Sequence, residues 1–158
     1  MKTFSHTFKI LLIAILCFSC GFKTLDYSEV KKHKIEKIST AGNNEINFKV
    51  LNDLKQLFSN NSIEAEKIDI NIRSKEEKKV KEKNKKNEIT KYELKIDVNL
   101  EIKKETRLIN IAISKKGEFQ VSNRNLKTIQ NEKKTKKDII IALSDEILEK
   151  IIFELNDT

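Results

Sequence analysis

Between Tyr92 and Lys103 the side chains alternate without a break, Tyr92, Leu94, Ile96, Val98, Leu100 and Ile102 against Glu93, Lys95, Asp97, Asn99, Glu101 and Lys103. Successive side chains of an extended chain point to opposite faces, so this pattern predicts one long strand with a dry face and a wet face. Few folds accept such a strand: its apolar side must be covered and its polar side left open. After a short connection over Lys104 to Thr106 the alternation returns in Ile109, Ile111 and Ile113. Lys116-Gly117 interrupts it, and Phe119 and Val121 resume the same parity. The two segments predict an antiparallel hairpin. Gly117 is expected at a bulge or bend, because glycine inside a strand has no side chain to pack.

The cover for the dry face is legible on either side. Ala41-Gly42-Asn43-Asn44 supplies turn chemistry and a helix N-cap. From Glu45 to Phe58 the residues Ile46, Val50, Leu51, Leu54, Leu57 and Phe58 recur at spacings of three and four, which predicts an amphipathic helix. Near the other end Ile139, Leu143, Ile147, Ile151 and Leu155 recur every fourth residue. Thr135 followed by Asp138 resembles a capping box, predicting a terminal helix of about five turns. Ile68, Ile70 and Ile72 alternate as a half-buried strand, and His33 to Thr40 reads as a first strand. Two segments lack periodicity: Lys75 to Asn87, a charge run read as a solvated hairpin loop, and Ser122 to Lys134, read as a polar connection with Leu126 and Ile129 as anchors. The order β-α-β-β-β-α predicts an α+β two-layer sandwich, an about four-stranded, mainly antiparallel sheet with both helices on one face.

Ahead of this domain stands Lys2 and Lys9, then an apolar run of nine residues from Ile10 to Phe18, then Ser19-Cys20-Gly21. Nine residues fall well short of the roughly 20 that a membrane-spanning helix needs, and the layout is that of a secretory signal. A cysteine after a small residue at the end of such a run resembles the lipidation site of bacterial lipoproteins. Cys20 is then the lipid anchor, carrying an N-acyl chain and an S-diacylglycerol, and residues 1–19 are removed. Gly21, rather than Asp, after the cysteine favours passage to the outer membrane. An uncleaved anchor, or ordinary signal cleavage near the same place, is the competing reading. Residues 20–32 read as a lipidated tether and residues 33–158 as one domain, a single-domain length.

The precursor has a formal charge of +8. Basic balance raises nucleic acid as a partner, but an exported, tethered domain would not meet it, so no nucleic acid is expected. Anionic lipid, lipopolysaccharide or an acidic protein surface fits better. Only Arg73, Arg107 and Arg124 are arginines among 32 basic residues, Pro is absent, and Lys, Ile and Asn abound. Individual lysines therefore say little about a site. Beyond the signal, His33 is the one histidine and no second cysteine accompanies Cys20, so neither a zinc site nor a Ser/Cys-His nucleophile can be assembled from the usual parts. His33 is expected to be exposed at a strand entry. The three glycines are scattered and make no phosphate loop. No enzyme, metal or cofactor beyond the covalent lipid is expected. What remains is surface: lysines gather in the segments before the long strand and before the last helix, where they could meet headgroup phosphates or merely keep the protein soluble.

The signal ending in Cys20-Gly21-Phe22, with Leu25 and Tyr27 after it, the strand and helix near His33 and Glu45, the strand opened by Tyr92-Glu93-Leu94 and the closing Ile151-Ile152-Phe153-Glu154-Leu155 together resemble the LptE family of lipopolysaccharide-assembly lipoproteins. The likeness covers essentially all of residues 20–158. Thr24 stands where many relatives have Pro, and the Lys75 to Asn87 segment is unusually charged. The resemblance implies a non-enzymatic outer-membrane lipoprotein that plugs and helps assemble the LptD β-barrel and binds lipopolysaccharide, its lipid-binding basic residues matching Lys85, Lys86, Lys133 and Lys134. An auxiliary lipoprotein of a lipid-trafficking ABC transporter, or a periplasmic scaffold for cell-wall enzymes, is the alternative.

Overall fold

The computed structural model describes residues 28–59, 64–105 and 107–156. Cys20, the signal and Tyr27 lie outside them. The elements are β1 (His33–Gly42), α1 (Asn44–Leu57), β2 (Glu66–Lys83), β3 (Ile89–Lys104), β4 (Arg107–Gln120) and α2 (Asn125–Asn156). They form one sheet in the order β1-β2-β3-β4. β1 and β2 are parallel and the other two pairings antiparallel. This is the expected α+β sandwich.

The dry face carries Ile68, Ile70 and Ile72 of β2, Leu94 to Ile102 of β3, and Ile109, Ile111, Ile113 and Phe119 of β4. Against it lie Ile46, Val50 and Leu54 of α1 and Ile139, Leu143, Ile147 and Ile151 of α2. The core reaches one element ahead of the expected domain start: Val30, in a single 3₁₀ turn (Val30–Lys32), is fully buried in it.

The β1–α1 corner is built by local chemistry. Asn43 caps α1, its Oδ1 accepting the N–H groups of Glu45 (3.0 Å) and Ile46 (3.2 Å). Gly42 has φ +98° and sits so close to β2 that a Cβ there would lie 1.9 Å from the Ser74 carbonyl oxygen, which only glycine accommodates. The Ser74 hydroxyl then receives the Asn43 N–H at 3.0 Å, and the Asn43 amide donates to Glu76 at 2.7 Å.

Four expectations need correction. The Lys75 to Asn87 segment is not a loop: β2 runs on to Lys83, and only Asn84 to Glu88 turns, with the Asn84 N–H donating to the Glu88 carbonyl. Its charges are paired in three ways: Lys81 and Glu82 across the sheet with Glu93 and Lys91, Glu77 along the strand with Lys75 and Lys79, and Glu76 and Lys78 with Lys136 and Glu132 of α2; the cross-strand pairs support a strand as apolar ones do. Gly117 is neither bulge nor bend, because it pairs in register with Leu94. It lets α2 approach, since a Cβ there would meet Thr135 Cγ2 at 2.7 Å and Ile139 Cδ1 at 2.9 Å. Ser122 to Lys134 is mostly helix, as α2 starts at Asn125 and runs 32 residues, about 48 Å. Thr135 accordingly caps nothing: its hydroxyl donates to the Glu118 carbonyl at 3.4 Å. His33 is buried, not exposed, with 2% of its surface accessible. Its Nδ1 lies 2.8 Å from the Glu29 carbonyl. Its Nε2 is 3.2 Å from a Glu66 carboxylate oxygen at an angle that makes no hydrogen bond.

Candidate functional site at the cationic end of the sheet

Lys136 of α2 pairs with Glu45 in the first turn of α1, and Ser144 bonds Asp53 one helical stretch further on. The two helices therefore run in the same direction, and α1 begins only at the level of Ser74 to Glu76. Beyond that level β2, β3 and β4 continue with only the first turns of α2 against them. The molecule has a thick proximal end, where the described chain enters at Ser28, and a thin distal end made of the hairpin tip and the start of α2.

The structure places all four sequence-predicted lysines in this distal end. Lys85 and Lys86 sit in the Asn84–Glu88 turn, and Lys133 and Lys134 lie in α2 beside Glu132, which receives the Lys78 ammonium of β2 at 2.7 Å. All four are exposed. Two polar contacts bind α2 to the end of β4 here, Asn131 to the Gln120 carbonyl (3.0 Å) and Thr135 to that of Glu118.

The lysines of the strands differ from those of the turn and helix. Lys81 reaches Glu93 (3.5 Å) and Glu118 (3.6 Å), Lys91 reaches Glu82 (2.6 Å) and Glu118 (3.5 Å), and Lys116 reaches Glu93 (3.3 Å). Lys116 beside Glu93 lowers that carboxyl from its ordinary value, and Lys75 and Lys79 hold Glu77 down at about 2. Lys78 lies 4.7 Å above the Tyr92 ring, which stacks on Phe119 at 5.5 Å between centroids. Lys136, also read as basic surface from sequence, is instead held between Glu45 (2.7 Å) and Glu76 (2.9 Å). Burial works against its charge, and these two carboxylates outweigh it and raise its proton affinity.

By contrast Lys85, Lys86, Lys133 and Lys134 make no ion pair among the described residues. Lys137, grouped with them from the sequence, is exposed as well, and so are Lys127 of α2 and Arg124 just before it, which the sequence reading left out because it started the helix near Thr135. The density of basic residues from Arg124 to Lys137, six in fourteen positions, was the available signal. Such a surface recognises phosphate or carboxylate through ammonium point charges. Among the described residues no group of three His, Cys, Asp or Glu is placed to hold a metal ion, and no helix is long and apolar enough to cross a membrane.

No protein-family model and no curated protein matches the chain. Solved structures do. Rare lipoprotein B from Shewanella oneidensis superposes with a TM-score of 0.60 at 15% identity, covering 77% of this chain and 98% of that one. A minor lipoprotein from Acinetobacter baumannii gives a TM-score of 0.58 at 15% identity, covering 77% and 92%. The chain thus shares its fold, over nearly the whole of those proteins, with bacterial lipoproteins.

Proposed function

We propose that the chain is a non-enzymatic lipoprotein of the outer membrane, anchored through Cys20, that assists lipopolysaccharide assembly as plug and assembly partner of an LptD-type β-barrel. The observation that carries this reading is a fold shared with bacterial lipoproteins whose distal end exposes Lys85, Lys86, Lys133 and Lys134 without an ion pair among the described residues. The resemblance of the sequence to the LptE family supports it independently. So does the geometry of the ends. At about 3.3 Å per residue, the stretch of β2 from Glu66 to Lys83 sets the hairpin tip on the order of 55 Å from the level of His33. The eight residues from Cys20 to Tyr27 span at most about 28 Å. A molecule standing on its anchor holds Lys85 and Lys86 away from the leaflet that holds the lipid, toward a ligand or barrel wall above it.

The test is affinity purification of the full-length protein extracted from membranes, with mass identification of what stays bound. The expected result is a large outer-membrane β-barrel near one-to-one with bound lipopolysaccharide, the lipopolysaccharide but not the barrel being lost when Lys85, Lys86, Lys133 and Lys134 are all changed to Glu. Recovery of an ABC transporter or a cell-wall synthase without a barrel overturns the proposal.

A further inference from the structure

Along the wet face the ladder of paired side chains is interrupted at mid-length. On the distal side Lys75 and Lys79 hold Glu77, and on the proximal side Asn71 donates to Glu101 at 2.8 Å. Between them Arg73 and Asn99 face each other across β2 and β3. Both are exposed, and neither side chain makes an ion pair or hydrogen bond among the described residues. The flanking positions of their row are alanines, Ala41 on β1 and Ala112 on β4. Arg73 is also one of only three arginines in a chain that otherwise uses lysine for its cations.

Short side chains among long ones leave a hollow. Ala112 and Ser114 of β4 lie beside Arg73, Lys75, Asp97 and Asn99, and the depression they line measures about 390 Å³. Lys75, Asp97 and Ser114 form its second row. Lys95, at 2.8 Å, and the Ser114 hydroxyl hold the Asp97 carboxyl below its ordinary value, so it stays ionised. A carboxylate has about four lone-pair sites, which leaves Asp97 able to accept further hydroxyl donors.

We propose that this hollow binds a sugar that carries a carboxylate. The Arg73 guanidinium is a planar fork that takes a carboxylate through two parallel N–H···O bonds, which a lysine cannot imitate. Asn99 offers hydroxyl groups both a donor and an acceptor, Asp97 accepts from them, and Ala112 leaves room for the C–H face of a ring. Three strands and two residues along each give a footprint of about 10 by 7 Å, the size of a single ring. A phosphate is the poorer ligand, because it brings Asp97 a second negative charge and no hydroxyl donor. A partner's apolar side chain finds only Ala41 and Ala112 to pack on. The hollow is separate from the distal lysines, since Arg73 to Lys83 is about 33 Å of strand, so the two can be tested apart.

The test is an NMR titration of the full-length protein in detergent with galacturonate, and with galactose, acetate and inorganic phosphate as controls. Saturable shifts are expected at the Asn99 and Ala112 amides and the Arg73 Nε–H with galacturonate, and none that saturate with the controls. Arg73→Lys keeps the charge and removes the fork, and is expected to bind about tenfold more weakly. Ala112→Leu fills the hollow and is expected to abolish binding with Arg73 in place. Both changes lie on the wet face, and circular dichroism is expected to be unchanged. The variant with Lys85, Lys86, Lys133 and Lys134 all changed to Glu is expected to bind galacturonate as the wild type does, which keeps this result distinct from that of the distal lysines. Two natural sources are then compared, the polysaccharide of lipopolysaccharide freed of its lipid and muramic-acid fragments of the cell wall. Saturable shifts at Asn99 and Ala112 with either one support the site and name its source. Shifts with neither, galactose or a simple anion binding as well as galacturonate, shifts confined to the distal lysines, or an Arg73→Lys variant that binds unchanged overturns the proposal.

Discussion

At Glu77 two ammonium groups meet one carboxylate, Lys75 at 2.6 Å and Lys79 at 3.1 Å. Their hydrogen bonds, Lys75 first, with the attraction of both charges behind them, bring the carboxyl down to about 2. The folded-state value lies below the unfolded one, so the stabilisation is present in full above the ordinary carboxylate range and is lost as pH falls from there toward about 2. The side chain lies on the wet face, so salt weakens the effect. In an NMR titration at low salt Glu77 is expected to titrate near 2. Lys75→Ala with Lys79→Ala is expected to return it toward the ordinary glutamate value, and added salt to move it the same way. A Glu77 midpoint that the double substitution leaves unmoved rules this account out. His33 marks the limit of reading single residues. A lone histidine ahead of a strand carries no periodic signal, and its burial goes with the Glu29 carbonyl meeting its Nδ1 and with Val30 folding into the core, a tertiary event that no local pattern announces.

Elements whose two faces differ in polarity were legible in the sequence, and elements whose faces do not differ were not. β3 and α1 alternate between core and solvent along their whole length, so period alone located them. The distal half of β2 has charges on both faces, because Glu76 and Lys78 occupy dry-face positions where α1 no longer covers the sheet. The first turns of α2 hold β4 through Asn131 and Thr135, while Leu126 and Ile129 point to solvent at 68% and 49% exposure. Their apolar residues therefore gave a misleading face. What fixes α2 over β4 is the missing side chain of Gly117. Gly117→Ala is expected to destabilise the protein by about 1–2 kcal/mol through crowding against Thr135 and Ile139. Thr135→Ser, which removes the nearer methyl, is expected to recover part of that loss in the double variant, giving a coupling measurable by urea denaturation. Additive losses would mean that the cost of the alanine arises elsewhere.

At the scale of the whole molecule, the staggered start of the helices divides one sheet into two stability regimes. Proximally, Ile70, Ile72, Leu100 and Ile102 lie under two helices and are at most 2% exposed. Distally, every residue of β2 from Lys81 to Lys83 is exposed, and Val80, the last apolar side chain of the strand, is 47% exposed. Ion pairs and the Tyr92–Phe119 stack hold this part together, and exposed ion pairs contribute little each. The four candidate lysines thus sit on the part of the fold with the least buried surface behind it. Regions with few buried apolar contacts open below the global unfolding free energy. Hydrogen exchange is therefore expected to show the amides of Lys79 to Lys83 and Ile89 to Lys91 opening locally, little affected by low denaturant, while those of Ile70 and Leu100 exchange only through global unfolding. Binding of an anionic ligand at Lys85, Lys86, Lys133 and Lys134 is expected to slow the first set without changing the order of the second. Uniform protection across β2 would mean that the charge ladder of the distal hairpin is as cooperative as the core, and that the binding end is rigid before any ligand arrives.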